Sequence, residues 1–384
     1  MRFLHTADWH VGKTLRGRNR ADEHVAVLAE IVRIGEEKKV DAVFIVGDLF
    51  DSSAPTPESE RIVYNALLEL AKVTPQVVII SGNHDNSMRF EAIKPLLRLT
   101  NIHVLATPSR PSEGGVISFK NDQGETVNLA LLPFLSQRSI IRADQLISGS
   151  AADHALEYAE RAKRVIEALC QDFSTKSINI LLSHAMVQGG LLGGGERLAH
   201  TIFEYSIPTS AFPPILHYVA LGHLHRAQKL AGACPIWYSG SPISLDFSET
   251  KDIKSVSIVD AQAGKPAKVE QIPIKSGRRL RVISGTIDDL IAMKDTLGDD
   301  LLRVDLIASD TAGVSDQVRE ILPNALDVRL VRKNPTAQPK NTINTSRSPQ
   351  ELFAQYLKEQ DDDDKGVKKL FNELLDEIHA TDPS

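Results

Sequence analysis

The sequence predicts an α/β protein in which buried strands alternate with helices. Residues 43–46, 77–81 and 178–183 are short apolar runs rich in β-branched side chains, as in strands covered on both faces. Helical patterns follow the first two runs, so strands and helices alternate along the chain. Polar side chains stand directly after these strands, and ligands of open α/β sheets bind beyond the carboxyl ends of the strands.

The composition is that of a globular protein. With 384 residues, 42% of them hydrophobic, the chain is long enough for two or three domains and a large core. No run approaches the roughly 18 consecutive apolar residues of a membrane span, and a strand-like run begins at Arg2, so we expect no signal peptide and a cytoplasmic protein. Cys170 and Cys234 are far apart in apolar surroundings, which predicts reduced structural thiols.

The charge distribution bears on possible nucleic-acid partners. The net charge is −6, and the residues from Gln350 onward account for all of it, so the rest of the chain is formally neutral. A neutral body can still carry a local basic patch. Lys13, Arg16, Arg18 and Arg20 form one candidate, although a solvated basic loop explains them equally well.

Apolar spacing predicts the elements of the first 259 residues. Proline in the first turn marks the start of a helix at Pro57–Val73, and Gly47 allows a tight turn after the strand at 43–46. The glycine-rich residues 189–195 predict a mobile loop, which is either a plain connection or a flank of the substrate. The predicted elements are helices at 22–39, Pro57–Val73, 87–99 and 151–173, and strands at Arg2–Thr6, 43–46, 77–81, Ile102–Leu105, 127–133, 178–183, 218–221, 237–244 and 256–259.

A second alternation of strands and helices occupies residues 279–331. Strands are predicted at 280–284, Leu301–Ile307 and 326–331, with helices at 287–297 and 314–322. Thr286 and Asp289 have the spacing of a cap for the first helix. This stretch therefore predicts a small α/β domain. Beyond it, the polar residues 333–347 are typical of a linker, and a capping box at Ser348 and Glu351 opens a helical C-terminal stretch.

Five predicted strands end in side chains that can bind metal ions. A single histidine is more often structural than a ligand, but five of the twelve histidines lie at strand ends beside Asp and Asn. Oxygen and imidazole donors without thiolate suit Mn²⁺, Fe²⁺ or Zn²⁺. The set exceeds the needs of one ion, so we expect two ions that share Asp48, about 3.5–4 Å apart. The side chains are Asp8, His10, Asp48, Asn83, His84, His184, His223 and His225.

These motifs resemble a known superfamily. DxH, GDxxD, GNHD, a lone His after a strand and GHxH, in that order, are the motifs of the calcineurin-like metallophosphoesterases. HTADWHVGK, GDLFD, SGNHD, ALGHLHRAQ and YSGSPISLDF are similar to the SbcD family, bacterial nuclease subunits that act with the SbcC ATPase in double-strand-break repair. The resemblance implies a two-sheet sandwich flanked by helices, a small α/β capping domain and a C-terminal helical segment.

The resemblance also implies roles for the site residues. One metal ion is expected on Asp8, His10, Asp48 and His225, and the other on Asp48, Asn83, His184 and His223, with Mn²⁺ as the expected ion. His84 is expected to protonate the leaving 3′ oxygen or to stabilise the transition state, and such general-acid help is worth about 10²–10⁴-fold. The carboxylate of Asp51 is expected to orient His84.

Partners and domain boundaries follow from the same resemblance. It implies a nuclease domain at 1–275, a DNA-capping domain at 276–333, a linker at 334–347 and helices at 348–384 that bind the coiled-coil base of SbcC. It further implies a homodimer through the helices at Pro57–Val73 and 87–99, although their apolar stripes are equally explained by packing on the sheet. Candidate DNA contacts of the capping domain are Arg278, Arg279, Arg281, Arg329 and Arg332.

The implied function is a Mn²⁺-dependent DNA nuclease. It would act as an exonuclease on double-stranded ends and an endonuclease on hairpins and single strands, near the nucleoid, in a heterotetramer with two SbcC subunits. A small-molecule phosphodiesterase or phosphatase is a second hypothesis, which the capping domain and the tail disfavour. A DNA-end scaffold with an idle metal site is a third, which the complete ligand set disfavours.

Overall fold

The chain divides into two units, Met1–Val331 and Arg332–Ser384. The computed structural model describes residues 1–121, 123–136, 151–196, 205–308 and 313–331, with main chain alone for 151–154, and Phe353, Leu357, Gly366, Val367, Leu370 and Phe371. Within these residues, no helix is both long enough and apolar enough to cross a membrane.

The first sheet has six strands in the order β12-β11-β1-β2-β3-β4. Four of them, β1 (Arg2–Thr6), β2 (Ala42–Val46), β3 (Val77–Ile80) and β4 (Ile102–Leu105), are parallel, whereas β11 (Ser255–Gln262) and β12 (Lys265–Pro273) run antiparallel at one edge. The helices α1 (Ala21–Glu37), α2 (Pro57–Val73) and α3 (Ser87–Leu97) connect the parallel strands. All five residues of β2 are buried, as expected for a central strand.

The second sheet also has six strands, in the order β5-β6-β7-β8-β10-β9. Its parallel centre consists of β6 (Thr126–Leu132), β7 (Ile178–His184), β8 (Tyr218–Gly222) and β10 (Ile236–Tyr238). The edge strands β5 (Val116–Lys120) and β9 (Gln228–Leu230) are antiparallel to their neighbours. The helix α4 (Ala151–Cys170) precedes β7.

The two sheets pack face to face, which confirms the expected sandwich. Phe3 and Phe44 of the first sheet share a buried core with Leu182 and Tyr218 of the second. The other face of the first sheet packs against α1 and α2, and the other face of the second packs against α4. Cys170 and Cys234 are buried free thiols in that last core, as predicted.

A third sheet contains β13 (Leu280–Gly285), β14 (Leu301–Ile307) and β15 (Ala325–Val331), all parallel. The helices α5 (Ile287–Met293) and α6 (Val314–Ile321) pack on it around Leu290 and Val318. Thr286 and Asp289 form the predicted cap, with the N–H of each residue bonded to the side chain of the other. The third sheet and its two helices enclose a hydrophobic cluster of their own.

Several predicted elements differ in extent. The edge strands β5, β9 and β12 are not predicted from the sequence. Polar residues interrupt or dominate each of them, so none contains the continuous apolar run of a buried strand. The strand predicted at 237–244 ends at Tyr238, since the chain turns at Gly240 with a φ of 72°. The helix predicted at 287–297 ends at Met293 and continues as a 3₁₀ turn, Lys294–Thr296.

The predicted linker at 334–347 lies outside the described residues, as does most of the predicted helical stretch at 348–384. The six described residues there have helical backbone conformation. The rings of Phe353 and Phe371 are stacked, with centroids 3.9 Å apart.

Candidate metal centre

The predicted polar side chains meet at one end of the sandwich. In the first sheet, Asp8 and His10 follow β1, Asp48 follows β2, and Asn83 and His84 follow β3. In the second sheet, His184 ends β7, and His223 and His225 follow β8. Because β2 packs on β7 and β8, the carboxyl ends of both sheets reach the same place.

A first cluster contains Asp8, His10 and His225, all of them buried. One donor atom from each residue lies within 4.8 Å of the others. The Nε2 atoms of His10 and His225 are 3.1 Å apart. The two nitrogens face each other, and they can either share one proton in a hydrogen bond or both bind one cation.

A second cluster surrounds Asn83 and His184. The Oδ1 atom of Asn83 lies 3.0 Å from Nε2 of His184 and 2.9 Å from Nδ1 of His223. The Nδ1–H of His184 donates to the carbonyl of Val46 at 2.8 Å. Since this bond occupies Nδ1, Nε2 is the nitrogen of His184 that faces the cluster and can bind a cation there.

Asp48 lies between the two clusters. Its Oδ2 atom is 3.6 Å from Nε2 of His10 and 3.4 Å from Nε2 of His184. Burial alone would raise the pKa of Asp48, but the neighbouring His184 and His10 hold it well below its usual range. Conversely, burial would lower the pKa of His184, but Asp48 raises it to about 9. Asp48 is therefore an anion that both clusters can share.

The donor chemistry of the clusters fits divalent cations. Carboxylate, amide oxygen and imidazole suit Mn²⁺, Fe²⁺ or Zn²⁺. Burial raises the pKa of Asp8 to about 7, so a nearby cation would favour its ionised form. Two overlapping groups of donors around one shared carboxylate have the arrangement of two-metal hydrolytic sites.

The backbone is strained at the site. Asp8, His10, Asp48 and His223 all have positive φ, between 46° and 102°. Such conformations cost about 1–3 kcal/mol each and persist only where the surrounding structure enforces them. Hydrogen bonds between loops enforce them here: the N–H of His10 donates to the carbonyl of Asp48, and the N–H of His223 donates to the carboxylate of Asp8.

Gly82 leaves the room that Asp48 needs. A Cβ atom at this position would lie 2.1 Å from Oδ1 of Asp48 and 2.5 Å from its main-chain nitrogen. We expect Gly82→Ala to displace Asp48 and to weaken Mn²⁺ binding strongly, as measured by titration calorimetry. Gly35→Ala in α1 is the matched control, because its Cβ meets only a side-chain carbon at 3.7 Å. Equal Mn²⁺ affinity in the two variants would contradict this prediction.

His84 lies beside the first cluster. Its main-chain N–H donates to Oδ1 of Asp48 at 2.8 Å, and its ring centroid is 4.7 Å from that of His10. Its Nδ1–H donates to the main-chain carbonyl of Asp51 at 2.8 Å. The carboxylate of Asp51, expected to orient His84, lies 3.5 Å from Nδ1 of His10 and 3.3 Å from Nζ of Lys13. Asp51 thus contacts His84 through its backbone and His10 through its side chain.

Three acidic residues of the site were not predicted from the sequence. Asp85 accepts hydrogen bonds from the main-chain N–H groups of Phe50 and Gly82, and so joins the loops after β2 and β3. Burial, reinforced by Asp48, raises its pKa to about 7. Glu196 accepts from the N–H of His225, and Glu249 faces the His225 ring. The signal for Asp85 was its place in GNHD, whereas the two glutamates carry no local signal.

The candidate basic patch at residues 13–20 consists of paired side chains. Lys13 pairs with Asp51, and Arg20 pairs with Glu23. Arg16 pairs with Asp327 at 3.2 Å, and Arg18 donates to Asn324 at 3.3 Å. Through Arg16 and Arg18, the loop therefore contacts residues at the third sheet. Among the candidate DNA contacts, Arg281 pairs with Asp300 and Arg329 with Asp327, and Arg332 lies outside the described residues.

Two families and several curated proteins match this chain. Residues 1–227 match the calcineurin-like phosphoesterases, and residues 276–361 match the type 5 capsule protein repressor C-terminal domain. The SbcD subunit of the nuclease SbcCD from Rhodobacter capsulatus is 33% identical over 92% of this chain and 94% of its own length. Proteins of the same name are 35% identical in Bacillus subtilis, over 73% of this chain and 71% of theirs, and 28% identical in Escherichia coli, over 76% and 73%.

Proposed function

This chain belongs to the calcineurin-like phosphoesterases, in the family of SbcD nuclease subunits, and we propose that it is a metal-dependent DNA nuclease. It would cut double-stranded ends as an exonuclease, and hairpins and single strands as an endonuclease. The observation that carries the proposal is the convergence of two donor clusters on Asp48, since this arrangement serves phosphodiester hydrolysis.

We assign the donors to two ions of Mn²⁺. Asp8, His10, Asp48 and His225 would hold one ion, and Asp48, Asn83, His184 and His223 the other. Two divalent ions in such a site supply polarisation of the phosphodiester and a nucleophile at neutral pH. The protein supplies the fixed positions, because hydrogen bonds to the carbonyls of Val46 and Asp51 set the orientation of His184 and His84.

His84 would give a proton to the leaving 3′ oxygen. The carbonyl of Asp51 accepts from Nδ1–H, so Nε2 is the ring nitrogen of His84 that can hand a proton to the substrate. The main-chain bond to Asp48 keeps His84 next to the first cluster. Cleavage breaks the P–O3′ bond, and the proton from His84 would neutralise the departing oxygen.

A labelled hairpin-ended duplex tests this function. We expect the purified protein to cleave it with Mn²⁺ and not with chelator, and a parallel reaction with Mg²⁺ reports the choice of ion. If the protein, even with an SbcC-type partner and ATP, cleaves only a small phosphodiester, it is a small-molecule phosphodiesterase. If it binds DNA ends tightly and hydrolyses neither substrate, it is a scaffold.

We also propose that the protein forms a homodimer through α2 and α3. The apolar stripe of α2 packs on the first sheet through Ile62, Val63 and Leu67, as the simpler interpretation expects. The region of α3 differs: Met88, Leu96 and Leu99 are 81%, 66% and 84% exposed. If these exposed apolar side chains form one patch, that patch would suit a protein interface.

Met88→Glu combined with Leu96→Glu is expected to convert the dimer to a monomer, because carboxylates in an apolar interface lose their hydration without gaining a partner. Sedimentation velocity measures the change. Leu156→Glu is the matched control, since Leu156 is an exposed leucine of α4, 67% accessible. A monomeric wild-type protein, or a double variant that remains dimeric, would place the contact elsewhere.

The remaining assignments concern domains and partners. We propose a nuclease domain at 1–275, a DNA-capping domain at 276–333, and residues 348–384 as the segment that binds the coiled-coil base of an SbcC-type ATPase, behind a linker at 334–347. Two copies of each subunit would form a complex that processes DNA ends in repair, recombination and replication at the nucleoid. Removal of residues 348–384 should abolish copurification with the ATPase subunit while hairpin cleavage persists.

A further inference from the structure

A buried ion pair lies behind His225. The Oε1 atom of Glu249 is 3.3 Å from Nδ1 of His225, and Oε2 of Glu249 is 2.7 Å from Nζ of Lys254. The side chain of Glu249 is 0% exposed and that of Lys254 is 10% exposed. A carboxylate therefore faces the side of the His225 ring that points away from His10.

Further hydrogen bonds hold this pair in place. Lys254 donates to the carbonyl of His225 at 3.2 Å and to the hydroxyl of Ser241 at 2.9 Å. The N–H of Leu245 donates to Oε2 of Glu249 at 2.9 Å. Since Lys254 contacts both Glu249 and the backbone of His225, the three residues form a closed and rigid unit.

The glycine-rich loop covers the contact between Glu249 and His225. A Cβ atom at Gly195 would lie 2.4 Å from Oε1 of Glu249 and 3.0 Å from Nδ1 of His225. Glu196, the next residue, accepts from the main-chain N–H of His225 at 2.9 Å. Only glycine fits over the pair, so this loop excludes water from it as well as connecting two elements.

We propose that Glu249, held by Lys254, is a positioning residue for His225 as a metal ligand. The carboxylate accepts the Nδ1–H of His225, which leaves the Nε2 lone pair directed at His10 and Asp8. Carboxylates bonded to metal-ligating histidines fix the tautomer and ring orientation and make the ligand more basic, and their loss typically weakens metal binding about 10–100-fold. The inference rests on the proposed function, because it takes His225 as a ligand.

The second cluster provides an internal comparison. The Nδ1–H of His184 donates to the main-chain carbonyl of Val46, and no side-chain substitution removes that acceptor. A change at Glu249 should therefore weaken the binding of the ion held by His225 and leave the binding of the ion held by His184 unchanged. A general loss of folding would weaken the binding of both ions together. A specific effect on His225 can therefore be distinguished from a loss of folding.

Two matched double variants of the full chain test the role of Glu249. Glu249→Leu with Lys254→Met removes the acceptor, and Glu249→Gln with Lys254→Met keeps an acceptor oxygen. Both variants remove both charges, so neither leaves a buried ammonium without a counter-charge, and apolar replacement of a buried ion pair is often neutral for stability. Titration calorimetry with Mn²⁺ measures the two dissociation constants, and thermal melting of the metal-free proteins measures folding.

We expect the leucine variant to lose about 10–100-fold in affinity for one of two Mn²⁺ ions, and the glutamine variant to recover part of it. In the leucine variant, the Mn²⁺ concentration for half-maximal cleavage should rise while kcat at saturating Mn²⁺ is largely kept. Wild-type affinities in a folded leucine variant, or equal losses for both ions, would overturn the inference alone. A wild-type protein that binds no Mn²⁺ would overturn the proposed function as well.

Discussion

His84→Ala is expected to abolish cleavage of hairpin DNA while Mn²⁺ binding remains. The substitution removes the imidazole and its bond to the carbonyl of Asp51, so no acid is left to protonate the leaving oxygen. Loss of general-acid catalysis typically lowers the rate about 10²–10⁴-fold. The bond from His84 to Oδ1 of Asp48 uses the main-chain N–H and survives in alanine. The metal clusters should therefore keep their geometry.

Two measurements separate these effects. Single-turnover cleavage at saturating Mn²⁺ reports the chemical step, and calorimetric titration reports the two dissociation constants. His103→Ala is the matched control, because His103 is an exposed histidine of β4. A His84→Ala protein that cleaves at the wild-type rate would remove His84 from the mechanism. A variant that loses Mn²⁺ binding would instead make His84 a ligand.

Asp48→Asn is expected to have the largest effect on metal binding, because one carboxylate oxygen lies between both clusters. The amide of asparagine is close in size and can still accept from the N–H of His84, so the loop should remain folded. Its oxygen carries no net charge. Removing one partner of a buried charge pair costs about 3–5 kcal/mol, which corresponds to roughly 150- to 4,000-fold in affinity.

The affinity for both Mn²⁺ ions should fall in this variant. The changes at Glu249, in contrast, should lower the affinity for one ion. Titration calorimetry distinguishes the two patterns, and cleavage should fall to background. Asp260→Asn is the control for the same chemical change, since the Asp260 side chain is 51% exposed and pairs with Arg2 at the opposite end of β1 from the site. If Asp48→Asn lost only one ion, Asp48 would not be shared.

The sequence by itself determined the buried central strands and the donors at their ends. Residues 43–46 contain no polar side chain, and residues 178–183 contain only Asn179 and Ser183. Only a central strand between two layers buries such runs. The parallel direction of these strands brings their polar ends to one edge. Asp8, His10, Asp48 and Asn83 could therefore be placed together from the sequence. Local composition and strand direction are sufficient to place these four donors.

The tertiary structure alone decided which partner each donor has. Glu249 lies 24 residues after His225, in a 3₁₀ turn without a motif, and it reaches the imidazole only because the chain folds back after β10. Asp51 contacts His84 through its carbonyl and His10 through its carboxylate, and residue type does not distinguish these alternatives. The arginines at 16, 18 and 20 are a basic patch in the sequence, but in the fold each has a partner. Such contacts depend on loop conformation and on packing between distant segments, which leave no periodic signal in the sequence.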